Sequence, residues 1–324
     1  MTTSISGSLL IPPPIKAGDT IGVVSASGPV LRESLEQGLR YLERAGFHIK
    51  LGRHIFERND FLAGTDEQRS RDLNSMLEDS HTRAIIFARG GYGSMRILES
   101  LNCDAIIADP KIMIGMSDIT ALQLSLFRRC KLVTFAGPMV AAQIADGLDD
   151  ISSECLLKCL MEPIDHRNLW PDNCLNIRII QQGEASGVLI GGCLSLVTAL
   201  LGTDHLPDFR GKILFLEDVN EPLYRLDRMM MQMKLSGHLE ELSGLILGHF
   251  AGPDQPDPSE GLDALVMNLV LPKSLPIVSG FPHGHRLPNL ALPVGVPVRL
   301  DTRSRELIVQ LGLDSPREDT SIRA

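Results

Sequence analysis

The sequence predicts an α/β protein of two domains, the first organised around a parallel sheet with helices on both faces. Three observations carry this. Short apolar runs alternate with segments of helical spacing through the first half. Several of those runs end in turns rich in Gly or carrying a Ser. The length, 324 residues, exceeds what one small hydrophobic core needs.

Residues 20–25 read as a buried strand closed by Ala26-Ser27-Gly28-Pro29. Leu31, Leu35, Leu39 and Leu42 then recur at helical spacing, and Gly46 supplies the stop. Residues 47–51 form the next strand. Thr65-Asp66-Glu67-Gln68 opens a second helix with capping chemistry, continued by Leu73 and Met76. Residues 84–88 are a strand running into Arg89-Gly-Gly-Tyr-Gly93. Residues 111–115 are another, with a helix over 119–127 behind it, and 132–135 is a strand ending in Ala136-Gly137-Pro138. Strands and helices alternating at this spacing imply right-handed crossovers and a parallel sheet, whose ligands bind at the carboxyl ends of the strands.

From residue 146 to 182 the pattern weakens around Pro163, Trp170 and Pro171, which marks a linker between a first domain over 1–145 and a second over 183–324. The second half resumes with strands over 187–190, 212–216 and 242–247 and helices over 194–201 and 223–235. Shorter strands at 277–279, 296–300 and 307–311 make it a smaller, mixed domain. The tail beyond Asp314 is expected to fray.

Composition narrows the partners. A net charge of −9 with no Lys/Arg run excludes a nucleic-acid face, which needs basic charge. The N-terminus has no basic region, and Pro12-Pro13-Pro14 cut its apolar stretch short, so it is not a secretory signal. No window approaches the roughly 18 apolar residues of a membrane span. The expectation is a cytoplasmic protein. Six cysteines without a C-x-x-C pair read as reduced, mostly buried thiols, Cys155 and Cys159 sharing one helix face. No metal or cofactor is expected.

Four segments carry chemistry. Ser117, in Gly115-Met116-Ser117-Asp118, sits on a sharp strand-to-helix turn. There a hydroxyl projects as a nucleophile and the backbone N–H groups opening the helix face a developing oxyanion. An N-cap is the structural alternative. Ile119 stands where the α/β-hydrolase elbow requires Gly, so a different serine-hydrolase fold is indicated. A base is sought among nine histidines. His283 and His285 lie in a turn-rich loop, open also to readings as a surface loop or a metal pair, whereas His48 and His249 look strand-bound. Glu217-Asp218 ends a buried strand, and alternation lets only one of them enter a site; helix capping is the alternative. Arg89-Gly-Gly-Tyr-Gly93 lacks phosphate-loop spacing and reads as half of an oxyanion hole through Gly91, with Asp118 N–H as the other half, or as a plain tight turn.

Together these segments resemble the LD-carboxypeptidase family of serine peptidases, which includes muramoyltetrapeptide carboxypeptidases and microcin C immunity-type enzymes. The resemblance runs from about Ile11 to Leu311. It rests on Lys16-Ala-Gly-Asp-Thr20, Gly64-Thr-Asp66, Arg89-Gly-Gly-Tyr-Gly93, Gly115-Met-Ser-Asp-Ile-Thr120, Leu214-Phe-Leu-Glu-Asp-Val219 and Gly284-His285. It implies a Ser117–Glu217–His285 triad, with Asp218 facing away. It also implies a flavodoxin-like first domain related to class I glutamine amidotransferases, a swivelling β/β/α second domain, a site between them, and a homodimer. Two positions depart from the family's pattern: Met116 stands where an aromatic residue is usual, and Cys193 where Asn is common.

The functional expectation is an L,D-carboxypeptidase that removes the terminal D-alanine from a murein tetrapeptide during cell-wall recycling. Its leaving residue carries a free carboxylate, for which Arg89, Arg225 or Arg286 is a candidate, each otherwise a surface ion pair. One rival is an immunity-type hydrolase of aminoacyl- or peptidyl-nucleotide amides, for which Trp170 would be the stacking aromatic. The other is a peptide-binding protein that keeps the scaffold without catalysis.

Overall fold

The computed structural model describes residues 8–172, 176–251, 258–270 and 275–311, so Cys174 and the tail beyond Asp314 lie outside the described residues. The first half runs β1 (Thr20–Val24), α1 (Arg32–Arg44), β2 (His48–Leu51), α2 (Asp66–Glu78), β3 (Thr82–Phe87), α3 (Cys103–Ala108), β4 (Ile112–Gly115), α4 (Thr120–Cys130) and β5 (Thr134–Ala136). These strands pair in parallel in the order β2-β1-β3-β4-β5, the flavodoxin-like order. Burial from both faces explains their unbroken apolar runs: Ile21, Val23, Ile85, Ile86, Phe87 and Ile114 are essentially inaccessible. The capping box is present as well. Gln68 N–H donates to Thr65 Oγ1 at 3.2 Å, and Thr65 N–H to Gln68 Oε1 at 2.9 Å.

The expected linker is more ordered than its sequence pattern suggests. It contains α5 (Asp150–Met161), capped by Asp149, and β6 (Arg178–Gln181). The second half continues with β7 (Glu184–Cys193), α6 (Leu194–Ala199), β8 (Ile213–Glu217), α7 (Leu223–Leu235), β9 (Gly244–Leu247), α8 (Ser259–Val270), β10 (Ile277–Ser279), β11 (Leu292–Val294), β12 (Val296–Asp301) and β13 (Glu306–Val309). Its sheet has the order β13-β12-β7-β8-β9-β10-β6, a parallel centre of β7 to β10 flanked by antiparallel strands.

Strand β11 crosses back. It pairs antiparallel with β5 and becomes the edge of the first sheet, Pro293 opposite Phe135. That sheet is therefore parallel apart from one strand supplied by the second half. Trp170 packs edge-on against Phe281 with 6% of its surface exposed, so it is a core residue rather than a free stacking platform. Cys155 and Cys159 do share one face of α5, where both thiols contact the Ala291 carbonyl. His249, expected within a strand, instead follows the end of β9, because the strand's apolar run stops at Leu247.

Candidate active site

Ser117 takes a left-handed backbone, φ +60°, between the end of β4 and a 3₁₀ turn that opens α4. A non-glycine residue in that region is strained by about 1–3 kcal/mol and persists only where its surroundings fix it. The surroundings here are unusually tight. A Cβ on Gly90 would lie 2.9 Å from Ser117 Cβ and 3.0 Å from its Oγ, so only glycine permits this approach. Gly90 C=O accepts from Gly28 N–H at 3.1 Å. In a trans peptide this turns the Gly91 N–H the opposite way, and among the described residues that N–H meets no acceptor. Asp118 N–H belongs to the first helical turn, where no intrahelical acceptor exists.

The Asp118 carboxylate has a role that its sequence position did not signal. It is buried and accepts from Ser27 Oγ at 2.5 Å and from Ser94 N–H at 2.7 Å, while Ser94 Oγ donates to the Asp118 carbonyl. One side chain thereby binds the turns after β1 and β3 to the serine turn. Arg69, on α2 and also buried, donates to the carbonyls of Ala26 and Gly93 and completes the frame.

Glu217 is the last residue of β8 and is wholly buried. Its Oε2 accepts from His285 Nδ1 at 2.7 Å. A carboxylate can only accept, so Nδ1 carries the proton and Nε2 is left to act as a base. Burial disfavours the imidazolium, but the Glu217 charge and its hydrogen bond prevail, and the His285 pKa is raised. Asp218 points elsewhere, accepting from Ser195 N–H and Val219 N–H at 2.8 Å each. Burial, aided by the Glu217 charge, pushes its pKa up to about 6. His283 is buried, its Nδ1 on the Leu290 carbonyl at 2.8 Å and its ring against Phe215. The two histidines of the loop thus serve different partners, unlike a metal-binding pair.

Two bridges hold the serine turn beside the Glu–His pair. Thr120 Oγ1, in the first turn of α4, accepts from Cys193 N–H at 3.0 Å, and Cys193 lies in register with Glu217 across β7 and β8. A Cβ on Gly192 would fall 2.4 Å from Thr120 Oγ1, so the sheet meets the helix through a backbone bare of side chains. The second bridge is Asn289, which is fully buried. Its Nδ2 donates to Met116 Sδ at 3.2 Å, its Oδ1 accepts from Gly284 N–H at 3.3 Å, and its own N–H donates to Ser152 Oγ at 2.7 Å. The neighbour of Ser117 is joined through one side chain to the neighbour of His285. Ser117 is partly exposed, and its Oγ makes no hydrogen bond among the described residues.

The three arginines separate. Arg89 lines a cavity of about 530 Å³ with Gly28, Pro29, Phe61, Gly91 and Tyr92, adjoining the serine turn. Arg286 lines a different one, of about 430 Å³, with Arg178 and His249. Arg225 sits on α7 in an exposed ion pair with Glu221 at 3.2 Å. Among the described residues no group of His, Cys, Asp and Glu is arranged to hold a metal ion, and no helix is long and apolar enough to cross a membrane.

A flavodoxin-like sheet and a mixed second sheet, with a strained serine turn and a buried carboxylate–histidine pair at their junction, define a class of hydrolase scaffold. Residues 21–137 match the LD-carboxypeptidase N-terminal domain and residues 186–300 the LD-carboxypeptidase C-terminal domain. The chain belongs to the LD-carboxypeptidase family. It is similar to the "Probable murein peptide carboxypeptidase" of Bacillus subtilis, 33% identical over 93% of this chain and 95% of that one. It is also similar to the "Murein tetrapeptide carboxypeptidase" of Pseudomonas aeruginosa, 31% identical over 85% and 91%. Among solved structures, the microcin C7 self-immunity protein MccF in complex with aspartyl sulfamoyl adenosine matches with a TM-score of 0.83 at 28% identity, covering 93% of this chain and 98% of that chain. The chain is thus a peptidase of the carboxypeptidase type.

Proposed function

We propose that this protein is a serine L,D-carboxypeptidase that releases the terminal D-alanine of a murein tetrapeptide, L-Ala-γ-D-Glu-meso-diaminopimelyl-D-Ala, in peptidoglycan recycling in the cytoplasm. The observation that carries the reading is the buried Glu217–His285 pair held across Asn289 and Thr120 from the strained turn of Ser117. In this reading Ser117 Oγ attacks the carbonyl on the L-centre of diaminopimelate while His285 Nε2 takes its proton. Glu217 stabilises the imidazolium, and the N–H groups of Gly91 and Asp118 receive the oxyanion. Collapse passes the proton to the departing amine, and water then releases the acyl group by the same route. Arg89 receives the free carboxylate of the leaving residue.

The test is release of free D-alanine from the tetrapeptide. Ser117→Ala is expected to lower it by at least about 10⁴-fold with an unchanged melting temperature. Turnover of aspartyl sulfamoyl adenosine without D-alanine release would move the assignment to the immunity-type branch, which the likeness to MccF supports. Turnover of neither would leave a binding protein. The family resemblance also supports a homodimer, which light scattering checks directly.

A further inference from the structure

We propose that the cavity beside Arg89 is the subsite for the leaving D-residue, and that Phe61 and Tyr92 form an apolar wall selecting a side chain larger than the alanine methyl. This rests on the carboxypeptidase reading above. Phe61 and Tyr92 are 57% and 50% exposed although they touch each other edge to face, with centroids 5.6 Å apart. Two aromatic rings left largely in water at the rim of a cavity gain from an apolar group laid against them. The Arg89 guanidinium, which lines the same cavity, makes a single hydrogen bond, to the Pro29 carbonyl at 3.2 Å, and pairs with no carboxylate among the described residues. In a chain of net charge −9 an unpaired cation there suits an anionic ligand group.

Geometry orders these parts. Gly91 lines the cavity and follows Gly90, which packs directly on Ser117. A carboxylate on Arg89 and a carbonyl held at Gly91 would share one opening, as the terminus of the departing amino acid and the scissile bond must. Its side chain then meets the rings. A planar base is a poorer occupant, because the rings are inclined at 64° and form a wedge instead of a parallel slot. A flexible, unbranched apolar chain fits a wedge. At about 530 Å³ the cavity exceeds what a methyl group fills.

The experiment compares L-Ala-γ-D-Glu-meso-diaminopimelyl peptides ending in D-Ala or D-Met, with aspartyl sulfamoyl adenosine alongside. Each methylene brought out of water is worth about fourfold, so kcat/KM for D-Met is expected about 3- to 10-fold above that for D-Ala. Phe61→Ala and Tyr92→Ala are each expected to lower the D-Met value more than the D-Ala value and bring the ratio towards one, with melting temperatures reporting an intact fold. A wild-type preference for D-Ala, or a ratio untouched by either variant, overturns the proposal. So does a loss confined to sulfamoyl adenosine hydrolysis, which would assign the rings to a base. Failure to cleave either peptide would remove the carboxypeptidase reading itself, so the two failures are separable.

Discussion

His285 experiences two opposed influences: burial pushes its pKa down, and the Glu217 carboxylate pushes it up and wins. In the proposed mechanism His285 is the base and works only when deprotonated, so kcat/KM should fall as pH drops through a value above the ordinary 6.5 of histidine. Removing the charge while keeping the shape, in Glu217→Gln, leaves only the weaker Asp218 charge to oppose burial. The acid limb of the pH profile should then move below the wild-type position, and kcat should fall by roughly 10²- to 10⁴-fold. An unmoved limb would show that Glu217 does not govern the imidazole. Gly90 offers a steric test of the serine itself. Gly90→Ala places a methyl about 3 Å from Ser117 Oγ, closer than normal contact, and a resulting shift of about 1 Å in the proposed nucleophile costs on the order of 100-fold in kcat with little change in KM. Activity within threefold of wild type would mean that the turn yields without consequence.

Among the elements, the loop from Gly280 to Ala291 is held mostly by other parts of the chain. Asn289 spends its backbone N–H and both side-chain groups on α5, on the residue before Ser117 and on the residue before His285. Asn289→Ala should leave buried partners unsatisfied, lower stability by about 1–3 kcal/mol and reduce kcat about tenfold. Chemical denaturation and steady-state kinetics would show it, and wild-type values in both would refute the bridging role. The parts legible from sequence were those with local signals: the β1 to β5 runs, the Thr65 capping box, and the turns ending in Ser117 and Glu217. The illegible parts depend on remote partners. Asn289 in a Pro-rich loop reads as a turn residue, Asp118 reads as a cap until Ser27 and Ser94 arrive from other turns, and α5 lies in a stretch whose periodicity is weak. Strand β11 carries Pro293, which argues against a central strand and is tolerated here because the strand lies on an edge.

At the scale of the molecule, the two halves are interlocked. The first sheet ends on β11, which the chain supplies only after completing most of the second. Residues 1–145 expressed alone would leave β5 as an open, apolar edge. They should aggregate or stay loosely packed; a monomeric fragment with dispersed amide resonances would contradict this. Folding of the first half consequently waits on contacts of long sequence separation. The same clasp restricts how such proteins can be recombined. A hybrid joined at residue 146 from two relatives would take its first five parallel strands from one parent and their closing strand from the other. The side chains that must mesh across that seam would never have been selected together, so crossovers that also carry 289–294 with the N-terminal parent should yield the viable hybrids.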